Sequence, residues 1–165
     1  MPAYNEENYI DRCLDSIERE IKDCGCAAEI IVVDNASTDK TGEAAKRHTG
    51  VKVVSEPRKG IVWARQAGFL AAEGDIIANV DADTELSRGW AKKVVSEFSG
   101  NPRLAALSGP FIYRDLPSAI NFVVKIFYLM GFLLYLLNRF VLRIGSMIQG
   151  GNFAARKSSL REIGG

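Results

Sequence analysis

The stretch Glu29–Asp34 (EIIVVD) decides the fold, because it is a short, β-branched run that ends in a carboxylate. An apolar run without alternation is typical of a strand that other elements cover on both faces, as happens in parallel sheets. A second run of this kind, Asp75–Val80 (DIIANV), comes later in the chain. The two runs predict an α/β protein with a mostly parallel sheet.

Helical patterns separate these strands. Apolar residues recur every three or four positions over about residues 6–23, and Asn5 is the expected N-cap of this helix. The same criteria predict three further helices: one that begins at Ser37, Thr38 or Asp39 and ends near His48, one over Ile61–Glu73 and one over Ser87–Phe98. They also predict two further strands, over Val51–Ser55 and Leu104–Ser108. Strands that alternate with helices indicate βαβ units, and therefore a Rossmann-like sheet flanked by helices.

Composition limits the classes of protein that the chain can belong to. Its 165 residues suffice for about one domain, and with 47% apolar and 25% charged residues it can bury a core. A net charge of +1 does not support binding to nucleic acid. The charge is unevenly distributed along the chain, with a net charge of −4 over residues 1–118 and +5 over residues 119–165.

The odd number of cysteines, three, favours a reducing compartment such as the cytoplasm.

A long apolar helix is predicted near residues 117–144. Its longest charge-free run, Ile126–Asn138, has 13 residues or about 20 Å of helix, which is shorter than the roughly 30 Å of hydrocarbon in a membrane. Four polar side chains fall within about 40° of one another on the helix: Asn121, Lys125, Arg139 and Arg143. The sequence leaves three readings open: a helix in the membrane interface, a span with snorkelling ends, and a soluble helix that faces a core or a partner.

Carboxylates follow the two buried strands. Asp34 closes the first strand, Asp81 closes the second, and Asp83 and Glu85 come soon afterwards. The ends of parallel strands share one edge of a sheet, where ligands bind in the crevice, so Asp34, Asp81 and Asp83 are expected to face one pocket. Grouped carboxylates repel one another unless a cation lies between them, which predicts Mg²⁺ or Mn²⁺ together with a substrate diphosphate. Strand-ending aspartates also cap turns, so this pattern alone is a weak signal.

Several further motifs stand in a characteristic order. They are Pro2–Glu7 (PAYNEE), Ile30–Thr41 (IIVVDNASTDKT), Lys59–Gly60 with Ala64–Gly68 (ARQAG), Gly74–Asp83 (GDIIANVDAD) and Gln149–Phe153 (QGGNF). With these motifs the chain resembles a family 2 glycosyltransferase of the GT-A fold. The resemblance implies a nucleotide-sugar-binding half over residues 1–116 and the start of an acceptor-binding region over 147–165. The apolar helix between them, over 117–146, is a candidate for membrane association.

The resemblance also assigns residues to the donor, the metal and the acceptor. Those implied at the donor are Pro2, Ala3, Tyr4 and Glu6 around the nucleoside, Asp34 at the base, Arg65 near the nucleotide and Asp81 at the ribose and diphosphate. The implied metal ligands are Asp83, Asp81 and Glu85. The implied acceptor-side loop is Gln149, Gly150, Gly151 and Asn152. These roles suit the chemistry, since a tyrosine ring stacks on a base and a guanidinium matches phosphate oxygens.

The chain departs from the family pattern at two places. The family has an apolar strand directly before the Pro-Ala-Tyr turn, and here Met1 occupies the end of that strand. The chain therefore resembles a fragment in which the strands next to the missing one lack ladder partners.

An inverting transferase needs a carboxylate to accept the proton of the attacking hydroxyl. In the family this base follows the segment that ends here at Gly165, so we expect it beyond that residue and do not assign Glu162.

The predicted activity is metal-dependent transfer of a sugar, with inversion, from a nucleotide-diphosphate donor to a sugar or lipid-linked acceptor, at the cytoplasmic face of a membrane or in the cytoplasm. An alternative is an inactive binding or membrane-anchoring module. A less favoured alternative is a haloacid dehalogenase-type phosphatase, in which Asp81 is the nucleophile and Asp83 the general acid. Three strand–helix elements precede Asp81, and such phosphatases usually begin with this motif.

Overall fold

The computed structural model describes residues 1–110, 117–144 and 150–164. Its strands are β1 (Pro2–Ala3), β2 (Ile30–Asp34), β3 (Val51–Ser55), β4 (Ile76–Val80), β5 (Ala106–Ser108) and β6 (Asn152–Arg156). Its helices are α1 (Ile10–Cys24), α2 (Thr41–Arg47), α3 (Ile61–Ala71), α4 (Trp90–Gly100), α5 (Ser118–Leu136), which continues as a π-helix over Leu137–Leu142, and α6 (Lys157–Glu162). The predicted α/β architecture is confirmed.

The strands form two sheets of three strands each. The first has the order β1-β2-β3 and is parallel, with Ala3 opposite Asp34 and Asp34 opposite Ser55. The second has the order β4-β6-β5 and is antiparallel, with β6 in the centre. The prediction of a parallel sheet therefore holds for the first sheet, whereas a late strand, β6, turns the second into an antiparallel one.

The core lies where α1 packs against the first sheet. Ile10 and Leu14, one helical turn apart, are fully buried and pack with Val32 of β2 and Ala44 of α2. Burying aliphatic side chains of this size contributes about 1.5–3 kcal/mol each to folding. The same helix reaches the second sheet through Cys13, so α1 holds the strand ends of both sheets in place.

The start of α1 differs from the prediction. Asn5 does not cap the helix, which begins five residues later at Ile10. Asn5 instead adopts a left-handed backbone conformation, with φ of 57°, and its Oδ1 accepts a hydrogen bond from the Thr38 N–H at 2.8 Å. The physical reason is that the Asn5 side chain accepts a backbone hydrogen bond from the loop after β2 and is therefore not available to cap the first turn of α1. This contact ties the segment after β1 to the segment after β2.

An inter-sheet cleft of about 640 Å³ separates β2 from β4. Its walls include Met1, Ile31, Val33 and Ile77, and among the described strands no hydrogen-bond ladder connects the two sheets. Glu20 also lines the cleft, with 1% of its surface exposed and its Oε1 without a hydrogen-bond partner in the structure.

The predicted long apolar helix is present. Together with its π-helical continuation it covers Ser118–Leu142, or 25 residues, and its most apolar 18-residue window has a mean hydropathy of 2.0 and is not buried. In length and composition it is able to cross a membrane, since 25 residues span about 37 Å. Within the described part of the chain its apolar side chains face outward, with Phe127 75% exposed.

Candidate functional site

A cavity of about 540 Å³ opens where β1, β2 and β4 end. We call it the strand-end cavity, and it is lined by Pro2, Ala3, Tyr4, Glu6, Asn35, Lys59, Gly60, Ile61, Ala64, Arg65, Asp81, Ala82 and Asp83. Among these lining residues are seven that the sequence predicts at the site: Pro2, Ala3, Tyr4, Glu6, Arg65, Asp81 and Asp83. Parallel strands bring their following loops to one edge, which explains why residues so distant in sequence meet there.

Three carboxylates, Glu6, Asp81 and Asp83, lie at this cavity. Burial raises the pKa of the Asp81 carboxyl, Arg65 opposes this, and Asp83 raises it further. Partial burial likewise raises the pKa of Glu6, with Asp83, Asp39 and Asp81 adding to the shift. Carboxylate oxygens are the ligands that a hard divalent cation prefers, so the donor chemistry fits Mg²⁺ or Mn²⁺, although among the described residues these three carboxylates do not form a group with ligand atoms all within 4.8 Å of one another.

A tight turn fixes the two aspartates of the second strand end. The Thr84 N–H donates to the Asp81 carbonyl at 3.0 Å, and the Thr84 hydroxyl lies 3.4 Å from Asp83 Oδ1. The Asp81 N–H donates to the Gly151 carbonyl at 3.3 Å, which holds the strand end against the segment before β6. The backbone around both carboxylates is therefore anchored on both sides.

Arg65 joins the acidic group to the segment before β6. One of its terminal nitrogens lies 3.7 Å from Asp81 Oδ1 and donates to the Gly150 carbonyl at 2.8 Å. Its guanidinium lies 5.9 Å from the ring centre of Phe153. The Arg65 Nε is buried and has no hydrogen-bond partner in the structure, whereas the side chain as a whole lines the strand-end cavity.

A second cation, Lys59, lies on the opposite side beside Tyr4. Its Nζ donates to the Tyr4 hydroxyl at 3.0 Å and lies 4.9 Å from the ring centre. Tyr4 is 44% exposed, so it is not a core tyrosine and its ring is accessible to a ligand. The cavity thus has carboxylates on its floor and a cation and an aromatic ring at its rim.

Asn35 organises the loop that carries Lys59. Its Nδ2 donates to the carbonyls of Glu56 at 3.1 Å and Arg58 at 2.7 Å, and its Oδ1 accepts from the Gly60 N–H at 2.8 Å. Arg58 in turn donates to the Glu56 carboxylate through its backbone N–H, Nε and a terminal nitrogen, at 2.8–2.9 Å. The loop therefore has a fixed backbone path before a ligand arrives.

Asp34 and Glu85 are not among the described residues that line the strand-end cavity. Asp34 Oδ1 accepts a hydrogen bond from the Ser37 N–H at 3.1 Å, and a Cβ added at Gly42 would lie 2.6 Å from Asp34 Oδ2. Asp34 is thus packed against the start of α2, and the third carboxylate of the cavity is Glu6. Glu85 is exposed, two residues beyond Asp83.

The acceptor-side motif reaches the same cavity only in part. Gln149 lies outside the described residues, whereas Gly150 and Gly151 contact Arg65 and Asp81 through their carbonyls. The Asn152 side chain is engaged within the protein, since its Oδ1 accepts from Trp90 Nε1 at 3.0 Å and its Nδ2 donates to the Gly109 carbonyl at 3.4 Å. The two glycines therefore contact residues of the strand-end cavity, whereas Asn152 is not among the described residues that line it.

Asn35 and Lys59 line the cavity without having been assigned a role from the sequence. Lys59 stands in a quoted motif, and an asparagine after a strand-ending aspartate is a common turn signal. Neither signal specifies a ligand contact, because the role of each residue depends on the loop path between β3 and α3.

Known proteins resemble this chain in sequence. A sequence model of the family described as "Glycosyl transferase family 2" matches residues 1–164. The chain is 40% identical over 122 residues to the "Uncharacterized glycosyltransferase Rv0539" of Mycobacterium tuberculosis, an alignment that covers 69% of this chain and 52% of the relative. These matches confirm the resemblance that the ordered motifs predict, and they leave the phosphatase hypothesis without support.

Two solved structures share the fold. The mannosyltransferase PcManGT from Pyrobaculum calidifontis, in complex with GDP-Man and Mn²⁺, has a TM-score of 0.72 at 25% identity, over 99% of this chain and 45% of that one. The glucosyl-3-phosphoglycerate synthase from Mycobacterium tuberculosis, in complex with UDP, has a TM-score of 0.66 at 25% identity, over 95% of this chain and 55% of that one. The chain spans about half the length of these relatives.

Proposed function

Because this chain belongs to glycosyltransferase family 2, we propose that it forms the donor-binding part of an enzyme that moves a sugar from a nucleotide-diphosphate donor to an acceptor. The observation that carries the proposal is the strand-end cavity, where Glu6, Asp81 and Asp83 lie beside Arg65. Its volume of about 540 Å³ is in the range of small-molecule sites. The complexes of similar proteins with GDP-Man and with UDP support this class of donor.

The residues at the rim suit the nucleoside. Pro2 and Ala3 form one wall, and the Tyr4 ring offers a face on which a base can stack. Lys59, beside Tyr4, supplies positive charge for a phosphate. For Asp34, which the resemblance assigns to the base, we propose an indirect role, since its carboxylate shapes the turn that positions the neighbouring Asn35.

The floor of the cavity suits the diphosphate and its cation. Asp83 and Asp81 would hold Mg²⁺ or Mn²⁺, with Glu85 within reach of the same strand end. Held by these carboxylates, a divalent cation would supply charge stabilisation for the leaving diphosphate. Arg65, which lines the cavity, would donate to phosphate oxygens through its guanidinium and would connect the bound donor to the segment that carries Gly150.

We propose that transfer proceeds with inversion, as the resemblance implies. The acceptor would approach from the side of Gly150 and Gly151, where the lack of side chains lets it come close to the donor sugar. We assign no general base among the described residues. Glu162, on the exposed side of α6, is not a candidate.

We further propose a membrane surface as the place of action and a lipid-linked acceptor as the substrate. Support comes from the exposed apolar helix over Ser118–Leu142 and from the net charge of +5 over residues 119–165, since cations favour anionic headgroups. The protein should float with vesicles that contain anionic lipid. Failure to float would refute the membrane location and leave the donor chemistry untouched.

The donor proposal is tested by isothermal titration of UDP- and GDP-sugars in the presence and absence of Mn²⁺. We expect binding of one nucleotide class that requires the metal. A folded protein that binds neither class with Mn²⁺ present would overturn the proposal in favour of an inactive binding or membrane-anchoring module.

A further inference from the structure

A second group of metal-ligating side chains lies outside the strand-end cavity, where α1 packs against α2. His48, the residue that follows α2, faces the side of α1 that carries Asp11, Asp15 and Glu18. One ligand atom from each of Asp15, Glu18 and His48 lies within 4.8 Å of the other two. None of these residues lines the strand-end cavity.

The ring of His48 lies between two carboxylates. Its Nε2 is 3.2 Å from Asp11 Oδ1, and its Nδ1 is 3.0 Å from Glu18 Oε1. A neutral imidazole carries one N–H, so it donates to one carboxylate and turns a lone pair toward the other. The second contact is favourable only when a cation, either a proton or a metal ion, lies between the ring nitrogen and the carboxylate.

The surrounding charge favours a metal ion over a single proton. Asp11, Asp15 and Glu18 are four and three residues apart, so they lie on one face of α1 and repel one another. Arg47 pairs with Asp11 at 2.9 Å, whereas in the described part of the chain Asp15 has no ion pair. A divalent ion at Nδ1 would offset the charges of Asp15 and Glu18 together.

We propose that Asp15, Glu18 and Nδ1 of His48 form a binding site for a borderline transition-metal ion such as Zn²⁺. An imidazole nitrogen with carboxylate oxygens suits Zn²⁺ better than Mg²⁺. Asp11 would accept a hydrogen bond from Nε2–H, which leaves Nδ1 free to bind the metal. Arg47 would keep Asp11 in place by donating to its carboxylate. Side-chain rotations would close the separations of up to 4.8 Å around the ion.

A metal ion at this site would link α1 to the end of α2. Both helices pack on the first sheet, so a bound ion would stabilise the half of the protein that carries Tyr4 and Asn35. The ion would bind the folded chain and not the separated ligands of the unfolded chain, and it would therefore raise the melting temperature.

The test is ¹⁵N NMR of the imidazole, because His48 is the one histidine of the chain. Variants Cys24→Ser and Cys26→Ser together form the background, so that thiols do not compete for Zn²⁺. We expect Zn²⁺ to shift the Nδ1 resonance along a single saturating binding curve and to fix the N–H on Nε2. Mg²⁺ at the same concentration should leave the ring unchanged.

Two variants separate a metal site from an ion pair. Glu18→Gln should weaken Zn²⁺ binding by at least about 10-fold. Glu43→Gln, which removes an exposed carboxylate of α2 outside the cluster, should leave it unchanged. A ring that titrates with pH but does not respond to excess Zn²⁺ would overturn the proposal and identify the cluster as an imidazolium ion pair. The readout involves no nucleotide, so it is independent of the donor proposal.

Discussion

At the scale of single residues, Asp83 is the most direct probe of the donor site. Asp83→Asn keeps the size of the side chain and removes the charge, so we expect Mn²⁺-dependent nucleotide binding to weaken by at least about 10-fold, or about 1.4 kcal/mol. Isothermal titration measures the change. Asp23→Asn, which breaks an exposed 3.9 Å pair with Arg88, is the matched control. Equal binding by Asp83→Asn and the wild type would remove Asp83 from the metal site.

Glu56 gives a prediction about acid stability. Three hydrogen bonds from Arg58 lower the pKa of Glu56 from 4.5 to about 2. Because the folded pKa lies below the unfolded one, the stabilisation is fully present above pH 4.5 and is lost as the pH falls toward about 2. Acid unfolding followed by circular dichroism should show less loss of stability for Glu56→Gln than for the wild type across this window. Parallel curves for the two proteins would contradict the assignment.

The site was predictable from the sequence to the extent that it depends on strand ends. Asp81 and Asp83 follow an apolar run that is recognisable as a strand, so their place at the cavity follows from topology. The same rule places Asp34 at the edge of the sheet, yet its carboxylate turns toward Ser37. Side-chain direction at a strand end depends on the following loop, which the pattern of apolar residues does not specify.

At the scale of elements, the loop between β3 and α3 depends on one buried amide. Asn35→Ala removes two donors and an acceptor that bind Glu56, Arg58 and Gly60. Since Asn35 is 4% exposed, water cannot easily replace them, and we expect a loss of about 2–3 kcal/mol in the free energy of unfolding. Urea denaturation measures it. Asn101→Ala, at an exposed turn, should cost less, and an equal cost would show that Asn35 is not a special anchor.

The apolar helix gives a second prediction at this scale. Phe127→Asp places a charge on a side chain that is 75% exposed, and it should reduce vesicle flotation sharply, since a carboxylate in hydrocarbon costs about 2.5–3.5 kcal/mol. Lys125→Gln, on the predicted polar stripe, should weaken binding to anionic vesicles and leave binding to neutral vesicles unchanged. Unaltered flotation of Phe127→Asp would show that this face does not contact lipid.

Elements with a strong local signal were predictable, and those defined by tertiary pairing were not. The β-branched runs of β2 and β3 and the amphipathic face of α1 appear where expected. Strand β6 (NFAAR) carries no β-branched residue and is a strand because it fills the space between β4 and β5. Its Arg156 side chain donates to the Leu104 and Phe98 carbonyls, contacts that no periodicity indicates.

At the scale of the whole molecule, Glu20 is a buried carboxyl group with incomplete hydrogen bonding. Its Oε2 accepts from the Ala91 N–H at 3.3 Å, whereas Oε1 has no partner in the structure. Glu20→Gln keeps an acceptor for Ala91 but places an N–H₂ group without an acceptor at the buried position of Oε1, so we expect a loss of about 1–3 kcal/mol in stability. Thermal unfolding measures it, with Glu97→Gln, at an exposed pair with Lys93, as the control. An unchanged or higher melting temperature for Glu20→Gln would show that the amide finds partners in the inter-sheet cleft.

The separation of the two sheets has a consequence for cooperativity. Side chains of α1, and not shared backbone hydrogen bonds between the described strands, connect the β1-β2-β3 sheet to the β4-β6-β5 sheet. Each sheet is then able to lose its amide protection without the other, as a separate foldon. Native-state deuterium uptake should fall into two kinetic classes that divide along the cleft, and a ligand that contacts both Tyr4 and Asp81 should merge them into one.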